Sequence, residues 1–236
     1  MNNNLKNIVV VKYGGSSVST KTKMKKISNL IKERVINNHQ KVILVISAQG
    51  STTNKLLKLA NKYSSKPNIR ELDVLISTGE QQSISLMSMI LNDNNLKAIS
   101  LTGYQANIKT YGLHTKNKIE SINSNLFNDL LHNNDVIVVA GFQGVNEENE
   151  ITTLGRGGSD TTAIAIASAL NCDCYIYTDV NGIYTVDPRL YSNSKKLDFI
   201  SFEEMIEMAV LGAKVMEPRA VEIAYNYNIK VYVGHA

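Results

Sequence analysis

An α/β fold, with a mostly parallel sheet and helices packed on both of its faces, is what this sequence predicts, and three observations carry the prediction. Short β-branched runs alternate with longer helical patterns along nearly the whole chain, as parallel βαβ construction requires. Glycine-rich loops stand where a strand ends or a helix begins, the positions at which open α/β sheets hold ligands. The 236 residues, 43% of them hydrophobic, are enough to bury a full core as one large domain or one domain with two lobes.

Taken in order, the first strand is Ile8–Val11, followed by Lys12-Tyr13-Gly14-Gly15-Ser16-Ser17 and a helix over Thr22–Asn37. The basic stretch Lys21 to Lys26 reads as the solvated face of that helix. A second strand, Val42–Ile46, runs into the hydroxyl-rich turn Ser47-Ala48-Gln49-Gly50-Ser51-Thr52-Thr53-Asn54, which opens a helix over Thr53–Tyr63. The long helical pattern Asp73–Leu91 contains Gly79, which costs about 1 kcal/mol against Ala and implies that something approaches the backbone there. Next come a strand at Ala98–Leu101, a helix at Ser124–His132 and a strand at Val136–Ala140. The stretch from Gly144 to Thr152 has a polar, turn-prone middle between strand formers and reads as a β-hairpin projecting from the sheet. A helix over Asp160–Leu170, a strand at Tyr175–Thr178, helices at Phe202–Met208 and Pro218–Tyr227 and a strand at Lys230–Val233 complete the pattern. No internal repeat or linker divides it.

Composition narrows the class. The net charge of +4 is small and, apart from the Lys21 to Lys26 stretch, unclustered, so no nucleic-acid or membrane partner is expected. The N-terminus lacks an apolar signal segment and no apolar run approaches the ~20 residues of a membrane span, so a cytoplasmic location is expected. Cys172 and Cys174 occupy alternate positions of an apparent strand and share a face; with no other cysteine they form neither a zinc set nor a disulfide framework.

Two loops carry the chemistry. Thr152 to Ala163 empties glycines 155, 157 and 158 onto a helix start, where Ser159 or Asp160 can cap, backbone N–H groups favour an anion, and Arg156 offers a planar fork to a carboxylate or phosphate. Lys12, at a strand end before Gly14 and Gly15, suits phosphate oxygens as a point charge, although its order relative to the glycines is not that of a Walker A loop. Glu80 is a candidate acceptor for a substrate ammonium. In the turn after the Tyr175–Thr178 strand, Asn181-Gly182 bends the chain, Asp187-Pro188 breaks any helix, and Asp179, Tyr184 and Arg189 suit a nucleotide.

Assembled, these stretches resemble the catalytic domain of aspartokinases, within the amino-acid kinase family. The resemblance rests on residues 12–18, Ser77-Thr78-Gly79-Glu80, Gly141-Phe142-Gln143-Gly144, residues 153–163, residues 178–189 and Ser201-Phe202-Glu203-Glu204-Met205, in family order across nearly the whole chain. It implies the three-layer α/β/α amino-acid kinase fold and transfer of the ATP γ-phosphoryl group to the β-carboxylate of L-aspartate, the first step toward lysine, threonine and methionine. It implies Lys12, Tyr13, Gly14, Gly15, Ser47, Thr178, Asp179, Tyr184, Arg189 and Lys214 for ATP. For aspartate it implies Ser51, Thr52, Thr53, Glu80, Arg156, Gly157, Gly158 and Ser159, with Lys12 and Asp160 catalytic. Mg²⁺ is expected on nucleotide oxygens and water, with no dedicated metal-ligand cluster.

The neutral turn Ser51-Thr52-Thr53-Asn54 departs from relatives that carry acids there. Aspartokinases usually continue into ACT regulatory domains; the expectation for residues 1–236 is a single kinase domain without them and without ACT-mediated inhibition by lysine or threonine. A homodimer formed through this domain is compatible with the sequence, which carries no pattern that specifies one. The alternatives are a family member acting on glutamate, acetylglutamate or UMP, a binding module that keeps the pocket without turnover, and a purely structural protein, which would not need two glycine-rich anion loops at strand ends.

Overall fold

The strands that read as near-continuous apolar runs are the ones a sheet covered on both faces requires. The computed structural model describes residues 7–187, 190–191, 193–213 and 215–236. In chain order the elements of the first half are β1 (Ile8–Tyr13), α1 (Lys21–Ile36), β2 (Lys41–Ile46), α2 (Thr52–Tyr63), α3 (Ile69–Asp93), β3 (Ala98–Leu101), β4 (Ile108–Tyr111) and β5 (Lys118–Ile122). Then follow α4 (Ser124–Asn133), β6 (Val136–Ala140), β7 (Gln143–Val145), β8 (Ile151–Thr153), α5 (Gly158–Leu170) and β9 (Cys174–Thr178). The last are β10 (Ile183–Tyr184), β11 (Lys196–Leu197), α6 (Phe202–Val210), α7 (Pro218–Asn226) and β12 (Val231–His235).

Six strands form one parallel sheet in the order β12-β9-β1-β2-β6-β3. Strand β1 lies inside it, with Lys12 opposite Val45 of β2 and Ile176 of β9. Alternation sorts its side chains: Val9, Val11 and Tyr13 pack with α1 and α3, through Met24, Ile31, Ile84 and Met87. Val10 joins the other core, built with Phe127 and Leu131 of α4, Ala163 and Ile166 of α5, Met205 of α6 and Ala220 of α7. The result is the expected three-layer α/β/α sandwich, and the ends of β1, β2, β6 and β9 meet along one edge.

A second, four-stranded sheet has the order β5-β4-β7-β8. The expected hairpin is its β7–β8 pair, antiparallel with Gly144 opposite Thr152. Strands β4 and β5 escape the sequence reading because they are short, polar and only partly buried, with a register irregularity between Lys109 and Thr110. The helix expected from Asp73 begins earlier, at Ile69, because the Asn68 side chain accepts hydrogen bonds from the Arg70 and Glu71 amides. The helix expected from Asp160 begins at Gly158. Its N-cap is Gly157 in the left-handed region (φ 66°), with no side-chain cap, so Ser159 and Asp160 stand in the first turn instead of capping it.

Gly79 is explained from within the chain: a Cβ there would lie 2.9 Å from the Ala48 Cβ and 3.4 Å from Thr52 Cγ2, so the close neighbour is the turn before α2. Cys172 precedes β9 and Cys174 opens it; both are free thiols on the same core. Burial pushes the Cys172 thiol up to about 12, away from reactivity. Among the described residues no helix is long and apolar enough to cross a membrane.

Phe127 is fully buried whereas Phe199 is exposed. Phe127→Ala is expected to lower the stability measured by urea denaturation by about 3–5 kcal/mol, and Phe199→Ala to leave the urea midpoint nearly unchanged.

Candidate active site

Loops from different parts of the chain close on a cleft of about 290 Å³ at the sheet edge. Alternation along β1 turns Lys12 toward α5, where the residue is 7% exposed and its Nζ lies 2.5 Å from Asp160 Oδ1. Among the described residues that oxygen has no hydrogen bond besides this ion pair. Removing either partner leaves the other charge buried and uncompensated, which is far costlier than losing a surface pair.

Glycines make the approach possible. A Cβ on Gly15 would sit 2.5 Å from the Ala48 carbonyl oxygen, and the Gly50 amide donates to the Gly15 carbonyl at 2.9 Å. The β1 and β2 loops are therefore pressed backbone to backbone. Gly141, after β6, does the same for α5: its Cβ would lie 2.6 Å from Ser159 Oγ. A side chain on Gly157 would collide with Glu217, just before α7, in addition to its left-handed backbone.

Glu80, 3% exposed on α3, accepts from the Ala48 amide at 3.0 Å through Oε1, while buried Oε2 has no partner among the described residues. Burial raises its pKa to about 7, with the Ala48 N–H pulling in the opposite direction. Arg156 lines the same cleft, is exposed, and makes no ion pair among the described residues. The cleft thus presents an unpaired guanidinium, a buried ammonium held by a carboxylate, and a second carboxylate with a free acceptor. That set complements a ligand carrying both an amine and carboxylates beside a more strongly charged anion.

The structure brings Lys12, Gly15, Ser47, Thr53, Glu80, Arg156, Gly157, Gly158, Ser159 and Asp160 together around this cleft. Gly14 borders it, its Cβ position 3.6 Å from Lys12 Nζ. Tyr13 does not reach it, because it alternates to the opposite face of β1 and stacks on Tyr177 at 4.9 Å between ring centroids. Burial first, and then Tyr177, push the Tyr13 phenol well above its ordinary value. Ser51 is the exposed N-cap of α2, and the Thr52 hydroxyl is spent on the Gln49 carbonyl at 2.7 Å. Thr178 and Asp179 line a second cleft of about 270 Å³ with Ser16, Ser17 and Lys23, and Thr178 donates to Asp179 at 3.0 Å. Tyr184 is half-buried in β10 and lines neither cleft. Arg189 and Lys214 lie outside the described residues.

Ala48, Gly50, Phe142 and Gly155 line the first cleft without having been singled out as site residues. Phe142 has φ 70°, a costly conformation for a bulky residue, and packs against Gly158. The sequence signal available for it is the Gly141-Phe142-Gln143-Gly144 stretch. No group of three or more His, Cys, Asp or Glu among the described residues forms a metal cage.

Residues 7–235 match the model of the amino acid kinase family. The chain is similar to the aspartokinase of Geobacillus stearothermophilus, 47% identical over 227 residues that cover 96% of this chain and 56% of that protein. It is also similar to the crystal structure of aspartate kinase from Synechocystis, with a TM-score of 0.83 and 46% identity over 96% of this chain and 38% of that one. A third likeness is to E. coli aspartokinase III in complex with aspartate and ADP, with a TM-score of 0.87 and 27% identity over 97% of this chain and 62% of that one. The chain spans about half the length of the curated relatives it matches.

Because the folded-state pKa of Glu80 is raised from 4.5 to about 7, the folded state holds a proton that the unfolded chain releases earlier. Stability from this group therefore falls as pH rises between those values and stays low above them. Glu80→Gln, which keeps the acceptor for Ala48 N–H, is expected to melt above wild type at pH 8 and to converge with it at pH 5. Equal melting differences at both pH values would contradict the burial argument.

Proposed function

The chain belongs to the amino acid kinase family, and on that premise we propose that it is an aspartate kinase. It transfers the γ-phosphoryl group of ATP to the β-carboxylate of L-aspartate, giving 4-phospho-L-aspartate and ADP, the entry to lysine, threonine and methionine synthesis. The observation that carries this reading is the convergence in one cleft of the Lys12–Asp160 pair, exposed Arg156 and a Glu80 oxygen without a partner among the described residues. The names of the relatives, and the neighbour solved with aspartate and ADP, support the same substrates.

The chemistry asks little of the protein beyond position and charge. A carboxylate is already nucleophilic at neutral pH, so no general base is needed; the oxygen attacks the γ-phosphorus as the bond to the ADP oxygen breaks. Lys12 offsets the charge on the transferring group, Asp160 holds its ammonium in place, and the amide of Gly15 lines the phosphate path, whereas the Gly14 N–H, expected to do the same, is donated to the Tyr177 carbonyl at 3.4 Å. Arg156 clamps a carboxylate of aspartate as a planar fork, Glu80 accepts from its ammonium, and Ser47, Thr53 and Ser159 supply hydroxyls at the cleft wall. An ammonium beside Glu80 favours its ionised form, so aspartate binding releases a proton near neutral pH.

Among the described residues the cleft carboxylates are Glu80 and Asp160, the latter engaged by Lys12, so Mg²⁺ fits as a hydrated ion carried on nucleotide oxygens. When bound, it neutralises phosphate charge. Thr178, Asp179, Tyr184, Arg189 and Lys214 are assigned to the nucleotide beyond its phosphates. The catalytic unit is a single kinase domain acting in the cytoplasm, and a homodimer is compatible with it.

Purified protein with MgATP and hydroxylamine is expected to form a hydroxamate with L-aspartate and not with glutamate or acetylglutamate, and to release no ADP with UMP. Lys12→Ala is expected to lower kcat by about 10²-fold or more, and Arg156→Ala to act mainly on the KM for aspartate. ATP binding without aspartate-dependent ADP release, or turnover only with another acceptor, would contradict the assignment.

A further inference from the structure

Asp73 is fully buried near the start of α3, yet it lines neither cleft. Its two oxygens accept from His114 Nδ1 at 2.7 Å, from the Thr115 amide at 3.0 and 3.1 Å, from the Thr153 amide at 3.1 Å and from Thr153 Oγ1 at 2.5 Å. A carboxylate can only accept, so Nδ1 of His114 carries the proton. The other ring nitrogen faces Glu150 Oε2 at 3.2 Å, and Glu150 is held in turn by Arg70 Nε at 3.3 Å and Asn146 Nδ2 at 3.2 Å.

The groups gathered by Asp73 are those on which the Arg156 loop stands. Thr153 is the last residue of β8, at the root of that loop. Thr115, in the β4–β5 turn, holds a left-handed φ of 72°, a costly conformation for a β-branched residue, and its amide is pinned to Asp73. Its carbonyl oxygen lies 3.1 Å from the Cβ position of Gly155, and the neighbouring Asn117 amide donates to the Thr153 carbonyl at 3.0 Å. One carboxylate therefore fixes both the root and the floor of the loop. The same helix carries Glu80 about two turns further on and on the same face.

We infer that Asp73, with His114 oriented against it, is a positioning residue that sets the span between Glu80 and Arg156 and thereby the length of acceptor the cleft takes. This rests on the aspartate kinase reading, in which Glu80 and Arg156 hold opposite ends of one small dicarboxylate. Loosening the β8 root lets Arg156 shift relative to Glu80 while Lys12 and the glycine loop after β1 stay in place. The consequence is a selectivity change, aspartate against its one-methylene-longer homologue glutamate, without an equal loss of nucleotide affinity.

The test compares wild type with Asp73→Asn, His114→Ala and His114→Asn, whose side-chain amide restores a donor near the Nδ1 position. Asp73→Asn and His114→Ala are expected to raise the KM for aspartate about tenfold, to leave the KM for ATP within about twofold, and to lower the ratio of kcat/KM for aspartate over glutamate. His114→Asn is expected to recover most of the loss. Amide exchange at Thr115, Thr153, Leu154 and Gly158 is expected to accelerate in the first two variants while β1 and β2 keep their protection. An unchanged aspartate KM and selectivity despite faster exchange would overturn the positioning role, as would a parallel loss of both KM values with melting temperature. If wild type itself gives no aspartate-dependent hydroxamate, the aspartate kinase reading fails, and exchange still decides whether Asp73 holds the loop: unaccelerated amides would overturn it.

Discussion

The structure is organised around a single ammonium group in an unusual place. Lys12 sits within an inner strand of the six-stranded sheet, flanked by β2 and β9, and is nearly closed off from solvent. A charge there is tolerable only if an opposite charge meets it. Asp160 does so from the first turn of α5, which obliges that helix to start close to the sheet edge. The glycines follow from the same constraint. Gly141 lets Ser159 descend onto the end of β6, Gly157 turns the chain into the helix with a left-handed backbone, and Gly15 lets the β2 loop close over the β1 loop. Side chains at these positions would push α5 away and strand the ammonium.

The central sheet was legible because its inner strands β1, β2 and β6 are buried on both faces, so local sequence and tertiary environment agree. Val136–Ala140 and Ala98–Leu101 match the structure end to end, and the other strands differ by a residue or two at their ends. Where a strand depends on its partner the sequence is silent. Lys109 and Thr110 of β4, and Lys118 and Glu120 of β5, carry no apolar alternation of their own; their place is set by pairing with each other and with β7. The helix starts show the same division. Asn68 caps α3 through its side chain, a local interaction, yet the helical pattern had been read only from Asp73; Gly157 begins α5 through a backbone conformation that the competing oxygens of Ser159 and Asp160 obscured.

Much of the cleft could be read in advance, since Lys12, Glu80, Arg156, Ser159 and Asp160 occur in loops whose glycines mark close approach. What sequence order could not convey was direction. Tyr13 is adjacent to Lys12, but alternation sends it to the opposite layer. Ser51, Thr52 and Thr53 look equivalent in the sequence, and the geometry of one turn directs Thr53 to the cleft while Thr52 closes the turn itself. Glu80, singled out as an acceptor for an ammonium, owes its burial to the Gly79 surface, which admits the Ala48 turn against it. Asp73 gave no signal, because its donors lie in the β4–β5 turn and β8, far away in sequence.

Lys12 and Asp160 are proposed to act as one catalytic unit, and a double-mutant cycle on aspartate-dependent kcat, using Lys12→Ala, Asp160→Ala and the pair, tests this most directly. If Asp160 serves to hold Lys12 against the transferring phosphoryl group, the double variant loses little more than Lys12→Ala alone. Losses that simply multiply would show that the two residues contribute independently, and would contradict the claim that this buried pair is the centre on which the cleft is built.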